Sequence, residues 1–192
     1  NGDLKIIDSR EGEGVKAVNG KFERYLMSLV AQWLAEHTNI AIVLSGMVGS
    51  SAGWKETNYL ACPISPAHLA NSCLTFTSKT HPIYIVPGVS FQKTDENPDV
   101  MRGEELQVLG WLQLDPKHRI GKHLVCLPGT HTKWVFVEEG EIKHFTTAMT
   151  GELFDMLINH SLLIQGKSTL FSTSCFIDGV NCIKKSNGSR LI

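Results

Sequence analysis

The turn between Leu127 and Trp134 contains the residue types that could bind an anion. Its sequence is Leu127-Pro128-Gly129-Thr130-His131-Thr132-Lys133-Trp134, and apolar segments typical of strands lie on both sides. A tight glycine turn at a sheet edge can direct backbone N–H groups, hydroxyls and a lysine toward one phosphate. The alternative is an ordinary glycine turn with solvated polar residues, which the motif alone favours slightly. The candidate phosphate ligands are Gly129, Thr130, His131, Thr132 and Lys133.

A second threonine-glycine pair stands at a predicted helix start in Thr147-Ala148-Met149-Thr150-Gly151-Glu152. Thr150 can cap this helix, and Gly151 allows a ligand to approach the helix N-terminus, where anions bind. Taken alone, the pattern is more typical of plain capping. Together with the first turn, it makes Thr150 and Gly151 candidates for the same phosphate.

Small residues follow a predicted buried strand in Ser45-Gly46-Met47-Val48-Gly49-Ser50-Ser51-Ala52-Gly53-Trp54. Ligands of α/β sheets bind at the carboxyl ends of strands, so the hydroxyls and backbone groups of this loop could hold a polar substrate. Trp54 is expected either to form a wall of that site or to anchor the loop.

Two carboxylates open a predicted helix beside an arginine in Asp99-Val100-Met101-Arg102-Gly103-Glu104-Glu105. One interpretation is that acidic residues in a first helical turn only complement the helix dipole. The functional interpretation is a general base at the helix N-terminus, with Arg102 binding an acidic substrate.

Alternating strand and helix patterns predict the frame that carries these segments. Apolar residues at helical spacing indicate helices, and continuous apolar runs indicate strands buried on both faces. The alternation implies a mostly parallel sheet in an α/β fold. The predicted elements are helices at about 20–37 (capped by Asn19), 65–74 and 103–114, and strands at 40–44 and 83–86.

The pattern changes near residue 122, where a β-meander begins. Strands are predicted at 123–127, 134–137 and 142–145, the last two joined by the hairpin Glu138-Glu139-Gly140-Glu141. A helix follows from Thr150, and Phe176, Val180 and Ile183 indicate another. We therefore place a domain boundary near 115–122.

The composition narrows the classes of function. The chain has 192 residues, 42% of them apolar, and a net charge of −1, which gives no support for nucleic-acid or membrane-surface binding. No apolar stretch is long enough to span a bilayer, and no signal peptide is evident. Five scattered cysteines, at 62, 73, 126, 175 and 182, predict buried free thiols in a reducing cytoplasm. Both ends suggest a fragment of a longer protein.

At these segments the chain resembles the 2-dehydro-3-deoxygalactonokinase (2-keto-3-deoxy-galactonate kinase) family, in order from about residue 3 to 180. The resemblance implies an actin-like ATPase, sugar-kinase-like fold, here incomplete. Residues 1–118 would belong to the first α/β domain and 119–192 to the start of the second. The motifs that carry it are Val43–Ser50 with Gly53-Trp54, Val86-Pro87-Gly88, Asp99–Glu105, Leu127–Val135 and Phe145–Phe154.

The family implies transfer of the ATP γ-phosphoryl group to the 6-hydroxyl of 2-dehydro-3-deoxy-D-galactonate in galactonate catabolism, with Mg²⁺. In related glycerol-kinase-like enzymes the Asp of a Gly-Asp-Gln segment is the base toward the attacking hydroxyl. Gly103-Glu104-Glu105 resembles that segment, so the resemblance implies Glu104 as the base and Glu105 as the second choice. The substrate would be held by Gly46, Met47, Val48, Gly49, Ser50, Trp54 and Arg102.

Departures from the family limit the expectation for this chain. The first phosphate loop of the family, of the type Asp-Trp-Gly-Thr-Thr-Asn, and the late adenosine-binding glycine segment have no match. Ser51-Ala52 replaces a more polar pair. We therefore expect the isolated chain to be inactive. The alternatives are a non-catalytic module of the same fold that binds a sugar acid or a partner, and an unrelated lyase using Glu104 and a lysine. The oligomeric state, including a homodimer, stays open.

Overall fold

The computed structural model describes residues 5–37, 40–93, 98–162 and 172–185. The chain divides into two compact units, Asn1–Gly151 and Glu152–Ile192. This division does not coincide with the boundary predicted near residue 118, because the β-meander belongs to the first unit. As a boundary between two actin-like domains, residue 118 stays a prediction.

The first unit begins with three helices, and single helices then separate groups of strands. Its helices are α1 (Val15–Val18), α2 (Phe22–Leu29), α3 (Ala31–Glu36), α4 (Pro66–Asn71) and α5 (Glu104–Leu114). Its strands are β1 (Ile42–Leu44), β2 (Tyr59–Ala61), β3 (Leu74–Ser78), β4 (His81–Ile85), β5 (Gly88–Phe91), β6 (Asp99–Met101), β7 (Lys122–Leu127), β8 (His131–Glu138) and β9 (Glu141–Met149). Helix α6 (Gly151–His160) begins at the last residue of this unit, and α7 (Thr173–Lys185) lies in the second.

The described strands form three-stranded sheets with the orders β1-β4-β3, β2-β5-β6 and β7-β8-β9. The pairs β1–β4 and β2–β5 are parallel, whereas β3 and β6 run antiparallel to their neighbours. The prediction of a mostly parallel sheet was therefore wrong, and the sheets of this α/β fold are mixed. The tight turn at Lys79, whose φ is +54°, reverses the chain between β3 and β4 and so makes that pair antiparallel.

The N-terminal helix prediction was partly wrong. Asn19 adopts the left-handed conformation (φ 47°) at the end of α1 and does not cap the helix that follows. The predicted helix at 20–37 is divided at Val30, between α2 and α3. The following strand is also less buried than its apolar run suggested, since β1 is an edge strand and Val43 is 61% exposed.

Several local signals gave correct predictions. Ser65 caps α4 by accepting a hydrogen bond from the backbone N–H of His68, and Pro66 occupies the first turn. The predicted β-meander forms, with a hairpin turn in which Glu139 and Gly140 both have positive φ. Helix α7 contains the apolar residues that predicted it.

The core that positions the site joins α5 to two sheets. Val108 and Leu112 of α5 are fully buried with Val89 of β5 and with Val135 and Phe145 of the meander. Burying such side chains contributes roughly 1.5–3 kcal/mol each, so this cluster fixes the start of α5 relative to β7–β9. A second cluster, around Ile83 and Ile85, holds α2 and α3 against β1 and β4.

All five cysteines are free, but only Cys62 and Cys73 are partly buried, and the prediction of buried thiols was wrong for Cys126, Cys175 and Cys182. Burial raises the pKa of the Cys62 thiol to about 11. Among the described residues, the helices are too short or too polar to cross a membrane.

Candidate active site

One cleft of the first unit brings together two of the segments that the sequence singled out. It has a volume of about 380 Å³ and lies between the start of α5 and the β7–β8 turn. Arginine, carboxylate, imidazole and backbone groups therefore face one space. The lining residues are Arg102, Gly103, Glu104, Gln107, Leu127, Pro128, Gly129, Thr130 and His131.

Glu104 is held at the start of α5 with its carboxylate beside the cleft. Gly103 precedes it with φ +110°, a conformation that glycine adopts without strain. The chain then turns so that the Arg102 backbone N–H donates to Glu104 Oε2 at 3.0 Å. Since Glu104 is only partly buried, its carboxylate can also contact a ligand in the cleft.

Glu105 points into the core. Its side chain is completely buried; Oε2 accepts a bond from the Gly103 N–H at 2.6 Å, and Oε1 has no partner among the described residues. Loss of hydration raises the pKa of the Glu105 carboxyl to about 7, even though backbone N–H donors and the Arg102 charge act in the opposite direction. Glu105 does not line the cleft, so the geometry favours Glu104 for contact with a substrate.

The buried Glu105 should make the stability of the chain depend on pH. An acid whose folded pKa is raised from 4.5 to about 7 binds more protons when folded, so the free energy of unfolding falls as pH rises through this range. Between pH 4.5 and 8 we expect the free energy of unfolding of the wild type to fall by at most about 3 kcal/mol relative to that of Glu105→Gln, which lacks this carboxyl. The measurement is the free energy of unfolding of both proteins across this pH range. The exposed Glu56→Gln is the matched control. Parallel pH profiles for wild type and Glu105→Gln would contradict the expectation.

Arg102 is fixed by two residues that the sequence analysis missed. Its guanidinium donates to the Thr57 hydroxyl and to the Thr57 carbonyl (2.9 Å), lies 3.4 Å from the Tyr59 hydroxyl and covers the Tyr59 ring. The described bonds use three of the five N–H donors of a guanidinium. Thr57 and Tyr59 had no motif signal, because only the fold brings β2 and its preceding loop beside Arg102.

The loop at 46–54 contacts the cleft region through its glycines. A side chain at Gly103 would lie 3.3 Å from the Gly46 Cα, and one at Gly49 would lie 2.9 Å from the Arg102 guanidinium. These close approaches bring the loop against Arg102-Gly103.

Other predicted substrate residues of this loop are directed elsewhere. Val48 and Trp54 pack into the second core cluster, and Trp54 contacts Phe76 edge to face at 5.2 Å. Trp54 therefore anchors the loop. The Ser50 hydroxyl donates to the Met47 carbonyl at 2.8 Å, and the Met47 side chain is 53% exposed. None of these four residues lines the cleft.

The two predicted phosphate segments are bonded to each other. The Gly151 N–H donates to the Gly129 carbonyl at 3.2 Å, and the Thr150 and Thr132 hydroxyls are 2.6 Å apart. A side chain at Gly151 would lie 2.6 Å from the Gly129 oxygen, so glycine permits this contact. The cleft is lined by Gly129, Thr130 and His131. It is not lined by Thr132, Thr150 or Gly151, which instead stabilise the turn through these contacts.

Lys133 does not reach the cleft. Its side chain is buried beside β6 and β9, where the ammonium donates to the Val100 carbonyl and the Thr147 hydroxyl, each at 2.6 Å. Asp99 lies 3.9 Å from the same ammonium. The predicted phosphate contact of Lys133 is therefore not supported by this geometry.

Other described features offer fewer groups suited to catalysis or to metal binding. A larger cavity of about 610 Å³ is lined almost wholly by apolar side chains of β1, β4, α4 and α5. No group of three or more His, Cys, Asp or Glu side chains that could hold a metal occurs in the part of the chain that the structure describes. Among the described residues, those that line the cleft include no lysine, and the lyase that would pair Glu104 with a lysine stays an untested alternative.

Comparison with known proteins identifies the family. The sequence model of the 2-keto-3-deoxy-galactonokinase family matches residues 2–191. The chain belongs to this family. The match extends over nearly the whole chain and confirms the resemblance that the motifs indicated.

Named relatives agree with the family match. The chain is 40% identical over 162 residues to the 2-dehydro-3-deoxygalactonokinase of Escherichia coli (strain K12), which covers 83% of this chain and 52% of that protein. It is 41% identical over 159 residues to the protein named "Probable 2-dehydro-3-deoxygalactonokinase DgoK1" of Rhizobium meliloti (strain 1021), which covers 82% and 50% respectively. The chain therefore spans about half the length of these curated family members.

A solved structure shares the fold. The crystal structure of a candidate 2-dehydro-3-deoxygalactonokinase from Sinorhizobium meliloti superimposes with a TM-score of 0.84 at 31% identity. The match covers 97% of this chain and 62% of the other. The described elements thus follow the fold of another family candidate.

Proposed function

We propose that this sequence is part of a sugar-acid kinase that transfers the γ-phosphoryl group of ATP to the 6-hydroxyl of 2-dehydro-3-deoxy-D-galactonate. The observation that carries the proposal is the cleft in which Arg102 and Glu104 face the Gly129–Thr130 turn. An acidic sugar, an attacking hydroxyl and a phosphate each have a chemically suitable group there. Family membership and the names of the relatives support the same reaction class.

In this proposal Arg102 binds the substrate carboxylate. A guanidinium recognises a carboxylate through charge-assisted hydrogen bonds, and Thr57 and Tyr59 already fix its plane. The backbone next to Gly46 and Gly49 adjoins this position and would contact the sugar hydroxyls. Holding the substrate in this way supplies the positioning on which phosphoryl transfer depends.

Glu104 is the proposed base. Its carboxylate would take the proton of the 6-hydroxyl as the hydroxyl oxygen bonds to the γ-phosphorus, and the bond from that phosphorus to the ADP oxygen breaks. The electron pair of the broken bond stays on ADP, and the proton stays on Glu104 until it passes to water. Glu105 is the second choice for the base. It adjoins the same turn, but its side chain is buried.

The Gly129–His131 segment is the proposed contact for the ATP phosphates. Backbone groups of a turn and an imidazole suit an anion, and the close approach of Gly151 supports the turn. The described residues contain no cluster suited to a metal, so we assign no protein ligand to Mg²⁺ and propose that it binds with the nucleotide. Within an actin-like fold this turn would be the phosphate loop of the second domain.

We predict that the isolated 192-residue chain has little or no kinase activity. The reason is that the chain has no match to the first phosphate loop of the family, so half of the proposed phosphate clamp is missing. A coupled assay of ADP release with 2-dehydro-3-deoxy-D-galactonate measures this directly, with the full-length protein as the positive control. Robust turnover by the chain alone would contradict the prediction. A full-length protein that binds the sugar acid without turnover would instead favour the non-catalytic module.

A further inference from the structure

A partly buried polar cluster lies at the junction of β6, β8 and β9. It consists of Asp99, Lys133, Thr147 and the carbonyl of Val100, and we call it the Asp99 cluster. Asp99 accepts bonds from both the backbone N–H (2.6 Å) and the hydroxyl of Thr147, while the Lys133 ammonium joins Thr147, Val100 and Asp99. Each charged group of the cluster therefore has an oppositely charged or hydrogen-bonded partner.

The cluster links strands of different sheets. Asp99 is on β6, in the sheet β2-β5-β6, whereas Lys133 and Thr147 are paired neighbours on β8 and β9 of the meander. A hydrogen bond from the Thr147 backbone N–H to the Asp99 carboxylate connects the two sheets at this junction. Relative displacement of the two sheets would break these contacts together.

Each side chain of the Asp99 cluster lies three residues along the chain from a segment that forms or supports the cleft. Asp99 precedes Arg102 by three residues, Thr147 precedes Thr150 by three, and Lys133 follows Thr130 by three. Three residues of strand span about 10 Å, so one fixed junction sets the starting point of all three segments.

Burial makes the junction stiff. The Lys133 side chain is only 7% exposed, and an unpaired ammonium at such a depth would be costly. The three partners offset that cost only when β6, β8 and β9 are in register. A displacement of either sheet therefore loses several charge-assisted bonds at once.

We infer that Asp99, Lys133 and Thr147 are positioning residues that set the separation between the Arg102–Glu104 segment and the Gly129–Thr130 turn. The inference rests on the proposed function for its catalytic consequence, but its structural consequence can be tested without catalysis. In this role Lys133 acts through the strands and does not contact phosphate.

The sharpest variant is Thr147→Val, which removes the hydroxyl and keeps the shape of the side chain. Thr146→Val is the matched control, because Thr146 is exposed on the opposite face of the same strand. Thr147→Ser restores the hydroxyl. In amide NMR spectra of the chain, we expect Thr147→Val to shift both the Gly103 and the Gly129 signals, whereas Thr146→Val and Thr147→Ser leave them near wild type. Unchanged signals at both glycines in folded Thr147→Val would overturn the inference.

Kinetics of the full-length protein separate positioning from direct binding. We expect Thr147→Val to lower kcat roughly tenfold with little change in the KM for ATP, because a misplaced reacting group costs rate more than affinity. Lys133→Met should behave in the same way; a large rise in its KM for ATP with unchanged kcat would assign Lys133 to phosphate binding and overturn the positioning role. If the wild-type protein shows no kinase activity, the proposed function fails, and the NMR comparison still decides the structural part.

Discussion

Glu104→Gln in the full-length protein is expected to lower kcat by about 10²–10⁴-fold, the usual contribution of a general base. The amide oxygen of glutamine can still accept the hydrogen bond from the Arg102 N–H, so the turn at Gly103 should keep its shape. ATP affinity should stay near wild type, because Glu104 is assigned to the hydroxyl and not to the nucleotide. The measurements are steady-state kinetics with the sugar acid and equilibrium binding of ATP.

Two further variants make this result specific. Glu56→Gln changes an exposed carboxylate outside the cleft and should leave kcat unchanged. Glu105→Gln changes the neighbouring buried carboxylate. A full rate in Glu104→Gln combined with a large loss in Glu105→Gln would transfer the role of base to Glu105.

Gly151→Ala is the second variant with a large expected effect. The new Cβ would lie 2.6 Å from the Gly129 carbonyl oxygen and 3.0 Å from the Thr130 Cα. Both atoms belong to the backbone, so relief of the clash must move either the proposed phosphate turn or the start of α6. We expect a loss of about 1–3 kcal/mol in the free energy of unfolding and a raised KM for ATP.

Gly110→Ala is the matched control for that substitution. Gly110 lies within α5, and a Cβ there would meet no atom within 4 Å. Alanine should therefore stabilise the chain by up to about 1 kcal/mol through its higher helix propensity. Urea unfolding of both variants checks the pair of expectations. Equal stability of Gly151→Ala and wild type would show that the turn accommodates a side chain.

The sequence predicted those elements whose signals are local. Ser65-Pro66 marked the start of α4, and Asp115-Pro116 marked the end of α5. Alternation and the Glu139-Gly140 turn marked the hairpin of the meander. In these cases a cap, a proline or a positive φ acts within a few residues, so no tertiary contact is needed to recognise it.

Short strands escaped prediction because a few residues carry little periodic signal. Strands β2, β3 and β6 have only three to five residues each, and their pairing comes from β4 and β5. Mixed pairing follows from these strands, which is why the predicted parallel sheet was wrong. Thr57 and Tyr59 escaped notice for a different reason, since their bonds to Arg102 cross more than forty positions.

The sequence by itself determined the family, the start of α5 and the two glycine turns, because these depend on local chemistry in a fixed order. Only the tertiary structure decided which groups face the cleft. Neighbouring helix residues differ by about 100° in direction, so packing of α5 against the sheets places Glu104 beside the cleft and Glu105 in the core. Lys133 shares its face of β8 with the buried Val135 and Val137, so packing in the interior places its ammonium beside a carboxylate on another sheet.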